Sequence, residues 1–237
     1  MGPPQKLIME LATEFHVKDF VETGTFYGGT AVWASNIFER VYTIENSKEM
    51  YEAAVNNHQD KSNIKFLLGD SRTHLKKVVS QLEKPAVFWL DAHWSGGLTY
   101  GDNDQCPLLE EIDVINSSPL DHFILIDDAR LFLSSPQPPH NVEQWPTISE
   151  LIFALKTKFP DRFIVIIEDV IIATPAYSKS AVSAYCQNIN SKAWEEYSKA
   201  TKKSNLQKGF DLIVMDLKTQ ARRMVSRLKK RVSANSR

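Results

Sequence analysis

Acidic residues lie at the end of each of five predicted strands between residues 19 and 128. They are Glu22, Glu45, Asp70, Asp91 and the pair Asp127 and Asp128. In open α/β sheets ligands bind outside the carboxyl ends of the strands, so these side chains are expected at one edge of the sheet. Because crowded carboxylates repel each other unless a cation lies among them, this row of acids indicates a ligand site.

Three of these carboxylates predict a metal ion, and a histidine beside them predicts a proton acceptor. Asp91, Asp127 and Asp128 follow neighbouring strands, and such oxygen ligands suit a hard divalent ion such as Mg²⁺. His93 lies two residues beyond Asp91, and an unperturbed pKa of about 6.5 suits a general base at neutral pH. Asp91 and His93 are therefore the candidate catalytic residues. The alternative is that His93 is a structural or surface residue.

A glycine-rich segment, residues 20–30, predicts a strand, a tight turn and a helix, which together form a cradle for a nucleotide cofactor. Spacing narrows the choice of cofactor. Counted from Gly24, the second glycine of a dinucleotide motif would fall on Phe26, whose bulk would block a pyrophosphate. No Gly-Lys-Ser/Thr follows, which excludes a P-loop. The remaining pattern is an acid and two spaced glycines, Glu22, Gly24 and Gly28, and its alternative interpretation is an ordinary α/β turn.

Two further acids are placed where a cofactor would need them. Glu45 lies 21 positions after Gly24, close to the spacing of an acid that binds ribose hydroxyls. Asp70 and Ser71 are expected beside an adenine ring. Both positions have an alternative role, because Glu45 could cap a helix near residues 46–47 and Asp70 or Ser71 could begin the next one.

The elements that position these residues alternate between strands and helices, which predicts an α/β fold with right-handed crossovers. The prediction is a Rossmann-like, doubly wound, mostly parallel seven-stranded sheet with helices on both faces and an antiparallel C-terminal strand. Strands are predicted at 19–22, 41–45, 64–68, 86–91, 123–127 and 163–167, and helices at 4–15, 29–38, 47–58, 71–82, 107–116, 147–158 and 178–205. Two candidates remain for the last strand: residues 170–173, as a hairpin with 163–167, or residues 210–215.

Composition sets limits on partners and location. A net charge of −1 over 237 residues gives no reason to expect nucleic acid, and no apolar run is long enough to span a membrane. Cys106 and Cys186 match no metal or redox spacing and predict a reducing, cytoplasmic setting. Residues 1–217 are expected to form one domain, followed by a basic tail, 218–237, which is solvated or makes a weak contact with an anionic surface. Homo-oligomerisation is left open.

Taken together, these motifs resemble the class I S-adenosylmethionine (SAM)-dependent O-methyltransferases over residues 18–130. The similarity is greatest to the metal-dependent branch that includes catechol O-methyltransferase and the macrocin-type sugar O-methyltransferases. In that family the first motif binds SAM, which implicates Glu22, Gly24, Thr25, Phe26, Gly28 and Thr30. The resemblance also assigns Glu45 to the ribose, Asp70 and Ser71 to the adenine, Asp91 to both metal and SAM, and Asp127 and Asp128 to the metal.

The chain departs from this family in the segment after Asp91. The catechol enzyme carries a lysine three residues after its strand-four aspartate, where this chain has Trp94, which makes His93 the substitute base. The insert at residues 96–107 is longer than the catechol pattern, and its Asp102 or Asp104 could add a metal ligand. Trp94, Tyr100 and Trp145 are expected either to line an acceptor pocket or to pack in the core.

The resemblance implies a SAM-dependent methyltransferase that uses a metal ion, expected to be Mg²⁺, to methylate a hydroxyl of a small molecule or sugar. Three alternatives remain at this point. They are a metal-independent methyltransferase in which His93 acts alone, a non-catalytic module that binds SAM or a nucleotide, and an NAD-dependent oxidoreductase, which Phe26 disfavours.

Overall fold

The computed structural model describes residues 2–94, 104–202, 207, 209 and 212–220. The chain divides into two compact units, Met1–Tyr185 and Cys186–Arg237. A seven-stranded sheet in the first unit has the order β3-β2-β1-β4-β5-β7-β6, in which β7 runs antiparallel to both of its neighbours. The strands are β1 (Asp19–Thr23), β2 (Arg40–Glu45), β3 (Ile64–Leu68), β4 (Val87–Leu90), β5 (Phe123–Ile126), β6 (Phe163–Ile167) and β7 (Val170–Thr174).

Helices precede, connect or follow these strands, and side chains cap three of them. The helices are α1 (Gln5–Glu14), α2 (Gly29–Ser35), α3 (Lys48–Asn57), α4 (Ser71–Val79), α5 (Leu108–Asn116), α6 (Arg130–Leu133), α7 (Ile148–Thr157) and α8 (Lys179–Lys202). Ser47 and Asp70 cap α3 and α4 by accepting backbone N–H groups, and Thr147 and Glu150 form a capping box at α7. None of the helices that the structure describes combines the length and the apolar character that crossing a bilayer would require.

The central strands are buried on both faces, which explains their continuous apolar sequences. All four residues of β4 and all four of β5 are buried. Alternate side chains of the two strands, Phe88, Leu90, Ile124 and Ile126, join those of α4, α5 and α7 in one core. The predicted fold class is confirmed. Of the two candidates for the last strand, residues 170–174 take that place in the β6–β7 hairpin, while residues 212–220 are helical.

The order of the strands places a crevice beside β1. From β1 the chain runs outward through β2 and β3, and it then returns to β4 on the other side of β1. The carboxyl ends of β1 and β4 therefore separate into loops that diverge, which is the topological switch point where doubly wound sheets bind ligands.

Candidate functional site

A cavity of ≈ 280 Å³ opens at this switch point, over the carboxyl ends of β1, β2, β3 and β4. Seven of the predicted site residues line it: Gly24, Phe26, Glu45, Asp70, Ser71, Asp91 and His93. The cavity is also lined by Met50, Arg72 and Pro107, which the sequence did not predict as site residues. The structure thus gathers residues from four strand ends into one concave site.

Gly24 lies where the loop after β1 passes close to the loop after β4. Its backbone has a φ of +87°, and a Cβ built on it would lie 2.3 Å from the carbonyl oxygen of Asp91. Only glycine meets both conditions, because a side chain would clash with backbone and would also strain the left-handed conformation. Gly24 therefore allows the two loops to approach each other at the base of the cavity.

Phe26 stands where a dinucleotide motif would require glycine, and its backbone is left-handed with a φ of +51°. Its side chain is exposed at the cavity and packs edge-on against Tyr27. Its N–H donates a 2.8 Å hydrogen bond to Oε2 of Glu45, while Oε1 of Glu45 accepts the N–H of Ser47 at 2.8 Å. Glu45 thus ties the glycine-rich turn to the start of α3 and faces the cavity at the same time.

Glu22 lies beneath the cavity and is not among the residues that line it. It accepts a 2.6 Å hydrogen bond from Thr43, whose hydroxyl is also 2.6 Å from that of Thr25. Burial raises the pKa of Glu22 to about 8, although its hydrogen bonds to Thr43 and Thr30 oppose this. At neutral pH Glu22 is therefore mostly a neutral acid that supports the turn from below.

Thr25, Gly28 and Thr30 are likewise absent from the cavity lining. Gly28 has a φ of +82° and packs against the ring of His58, which leaves no room for a side chain. Its position fixes the start of α2. The first motif thus contributes Gly24 and Phe26 to the cavity wall and the rest to the shape of the turn.

Asp70 performs the capping role that sequence analysis kept as an alternative, and it also lines the cavity. Its carboxylate accepts the N–H of Thr73 at 3.3 Å and pairs with Arg72, whose Nη2 is 2.6 Å away. The hydrogen bond from Arg72 lowers the pKa of Asp70. Arg72 also reaches Asp104 at 2.7 Å, so one cation joins the two acids at this side of the cavity.

His93 is held by Asp128 within the acidic edge. Its side chain is 5% exposed, and Nε2 lies 3.0 Å from Oδ2 of Asp128, whereas Nδ1 lies 4.0 Å from Oδ1 of Asp91. The hydrogen bond from His93 lowers the pKa of Asp128 to about 2, so this carboxylate is ionised and can only accept. Nε2 therefore carries a proton, and in the neutral ring Nδ1 is the free basic atom.

Burial and neighbouring charges shift the pKa values of His93 and Asp91 in opposite directions. Burial lowers the pKa of His93, but the hydrogen bond to Asp128 and the charges of Asp91, Asp128 and Asp127 outweigh it, so the net shift is upward. Loss of solvent raises the pKa of Asp91 to about 7, and His93 only partly opposes this. The cavity thus holds more carboxylate than its cations balance, which favours a cationic ligand.

The three predicted metal ligands do not assemble into a metal site. Asp128 directs one oxygen to His93 and the other to Arg130 at 2.7 Å, and Oδ1 of Asp127 accepts the N–H of Asp128 at 2.8 Å. Among the residues that the structure describes, no three His, Cys, Asp or Glu side chains are arranged to hold a metal ion. The residues present therefore do not fit the Mg²⁺ ion that the sequence predicted.

The aromatic residues beside His93 form a buried cluster. Trp94 and Trp145 are buried and pack edge-on against His140, and Trp145 also packs against His93 with ring centres 5.6 Å apart. Neither tryptophan lines the cavity, so both take the core role that was their alternative. Tyr100 and Asp102 lie outside the described residues.

A buried acid that sequence analysis missed lies behind the cavity. Glu111 of α5 is 1% exposed, and burial raises its pKa to about 7 despite nearby Ser71 and Thr23. Its position in an amphipathic helix, four residues after Pro107, gave no signal in the sequence, because an acid in the first turn of a helix is ordinary. Glu111 adds to the excess of acids around His93.

Comparison with solved structures identifies the fold. A protein of Staphylococcus aureus, provisionally assigned as a caffeoyl-CoA O-methyltransferase, matches with a TM-score of 0.51 and 17% identity, over 72% of this chain and 82% of that chain. The S-adenosylhomocysteine (SAH)-bound methyltransferase PaMTH1 of Podospora anserina matches with a TM-score of 0.50 and 16% identity, over 73% and 79%. No family model and no curated protein sequence matches the chain. At these identities the likeness shows the fold alone, a Rossmann-like fold that this chain shares with those proteins.

Proposed function

We propose that this protein is a SAM-dependent methyltransferase that methylates a hydroxyl group of a small molecule or sugar, with His93 as the general base. The observation that carries the proposal is the cavity over the ends of β1 to β4, which is lined by Gly24, Glu45, Asp70 and Asp91. The methyltransferase fold of the solved neighbours supports it. The fold alone does not select the acceptor, because one fold hosts many reactions.

The charges in the cavity suit SAM. Its sulfonium and ammonium groups are cations, and Asp91 lies in the cavity wall with its pKa raised to about 7. A bound cation would favour the ionised form of Asp91, so binding would relieve an unfavourable arrangement of acids. Glu45 would accept hydrogen bonds from the ribose, and Asp70 and Ser71 would border the adenine.

Methyl transfer from a sulfonium is a displacement in which the enzyme aligns the acceptor oxygen and removes its proton. His93 is suited to the second task at Nδ1, since Asp128 fixes the ring through Nε2. Its raised pKa opposes the reaction in the ligand-free protein, because a protonated ring cannot accept a proton. A bound sulfonium would place a positive charge near the imidazole and lower that pKa, which couples base activation to cofactor binding.

Cofactor binding gives a direct test of the proposal. SAM and SAH should each raise the melting temperature with ligand concentration, because they bind only the folded state, whereas NAD at equal concentration should not. Formation of SAH in the presence of catechol-like and sugar acceptors then distinguishes an enzyme from a binding module. Stabilisation by NAD without stabilisation by SAM would refute the proposal. Because the described residues form no metal site, turnover should persist in EDTA.

Glu45→Ala is expected to weaken SAM binding about tenfold or more, since losing hydrogen bonds to a charged acceptor costs about 1–3 kcal/mol. Glu45 also accepts N–H groups from Phe26 and Ser47, so a looser turn could lower the affinity without any ribose contact. Calorimetry with SAH and with 2′,3′-dideoxy-SAH separates these causes. With a ribose contact, the variant loses affinity for SAH but much less for the dideoxy analogue. Equal losses for both ligands would assign Glu45 to the turn alone.

A further inference from the structure

The turn between β6 and β7 extends to the loop that carries Asp128. Its two residues, Glu168 and Asp169, are left-handed, with φ values of +49° and +65°, as a tight two-residue hairpin requires. The carbonyl oxygen of Asp169 accepts the N–H of Ala129 at 2.8 Å, and its Oδ1 accepts the N–H of Arg130 at 2.8 Å. The hairpin is therefore fastened to the segment after β5 by hydrogen bonds to its main chain.

Arg130 joins this turn to His93 through Asp128. Its guanidinium pairs with Oδ2 of Asp169 and, at 2.7 Å, with Oδ1 of Asp128. The other oxygen of Asp128 accepts the Nε2–H of His93 at 3.0 Å. Although the Arg130 side chain is 58% exposed, those of Asp128 and Asp169 are only 16% exposed, so this is more than a loose surface pair.

Asp128 needs such support because its backbone is strained. Its φ is +56°, a conformation that is strained for a non-glycine residue and persists only where the surroundings enforce it. Asp127 accepts its N–H, while His93 and Arg130 occupy its two carboxylate oxygens. The backbone N–H and both carboxylate oxygens of Asp128 are thus held in place.

We propose that Asp169 and Arg130 are positioning residues, which fix Asp128 so that it orients the imidazole of His93 for proton removal. This role rests on the proposed function, in which His93 acts as the base. Residues 39 positions apart in the sequence would then set the geometry of one catalytic group. Asp169 touches neither the cavity wall nor His93, and it acts through Arg130.

Two variants that each remove one negative charge from the β6–β7 turn test the ion pair between Asp169 and Arg130. Asp169→Asn keeps the left-handed backbone and the acceptor for the Arg130 N–H but weakens the ion pair. Glu168→Gln removes one carboxylate from the same turn, where Glu168 accepts only from Tyr185 among the described contacts. Asp91, Asp127, Asp128 and Glu111, which also face His93, are the same in both variants.

We expect NMR titration to show a lower pKa for His93 in Asp169→Asn than in Glu168→Gln, by about half a pH unit or more, as its hydrogen bond to Asp128 loosens. This measurement needs no turnover, so it stands even if the proposed function fails. Equal pKa values in the two variants would overturn the proposal.

Turnover then separates positioning from general stability. Asp169→Asn should lower kcat about tenfold with an unchanged Kd for SAM, whereas Glu168→Gln should not, because misplacing a catalytic group slows the reaction without weakening cofactor binding. In a His93→Gln background, Asp169→Asn should cause little further loss, because both changes act on one group. A full tenfold loss in that background would show that Asp169 acts elsewhere, and would likewise overturn the proposal.

Discussion

Gly24→Ala is expected to abolish SAM binding and to destabilise the fold by roughly 2–5 kcal/mol, the combined cost of a left-handed alanine and an overpacked contact. The added Cβ would lie 2.3 Å from the Asp91 carbonyl oxygen and 2.8 Å from its carbonyl carbon. Both are backbone atoms, so no side-chain rotation relieves the clash. The loops after β1 and β4 would have to separate, and Asp91 would move with them.

The same turn provides the control. Gly29 begins α2 and does not have a positive φ, and a methyl group added to it would meet no atom of another element within 4 Å. Gly29→Ala should therefore stay within roughly 1 kcal/mol of wild type, or gain slightly from helix propensity. Urea unfolding measures both variants, and calorimetry measures SAM affinity for whichever remains folded. A Gly24→Ala protein with wild-type stability and affinity would contradict the geometry.

Much of the fold could be predicted because periodicity reflects burial. The apolar runs of β4 and β5 are buried on both faces. The helices predicted to begin at residues 47, 71 and 147 begin at or next to those positions, where Ser47, Asp70 and Thr147 act as caps. The final strand was harder to predict. Residues 170–173 and 210–215 had similar apolar patterns, and pairing with β5 depends on the tertiary structure.

The sequence predicted which strand ends form the site, but it did not predict the burial or the orientation of the side chains there. Topology brought Glu45, Asp70 and Asp91 to one cavity, because parallel strands end at the same edge. Burial of Glu22 could not be read from its position, since the residue preceding a turn can face either side. The direction of Asp128 depends on a left-handed backbone and on Arg130, and neither appears in a motif.

The orientation of the Asp128 carboxylate explains why the predicted metal site does not form. Three carboxylates at adjacent strand ends have the composition of a magnesium site, but Asp128 is turned to His93 and Arg130. Long-range ion pairs of this kind, such as the one between Arg130 and Asp169, join residues that local sequence cannot relate. The carboxylate that was predicted to bind a metal ion therefore forms an ion pair with His93 instead.

His93→Gln is expected to lower kcat by about 10²–10⁴, the usual cost of removing a general base, with no loss of affinity for SAM. Glutamine can still donate to Asp128, so the loop should keep its shape. In wild type, kcat/KM for SAM should fall as the pH drops, because protonation of His93 removes the base. Since the pKa of His93 is raised in the ligand-free protein, that limb should lie above about pH 6.5, the ordinary histidine value.

Asp128→Asn tests whether Asp128 raises the pKa of His93 and so sets the position of the acidic limb. Without the carboxylate, His93 loses the hydrogen bond that raises its pKa most, so burial should prevail and the acidic limb should move to lower pH. In His93→Gln the limb should vanish, because no imidazole remains to titrate. A limb that persists unchanged in His93→Gln would show that Asp91, whose pKa is raised to about 7, is the titrating group instead. The two variants together therefore assign the proton acceptor to one side chain of the cavity.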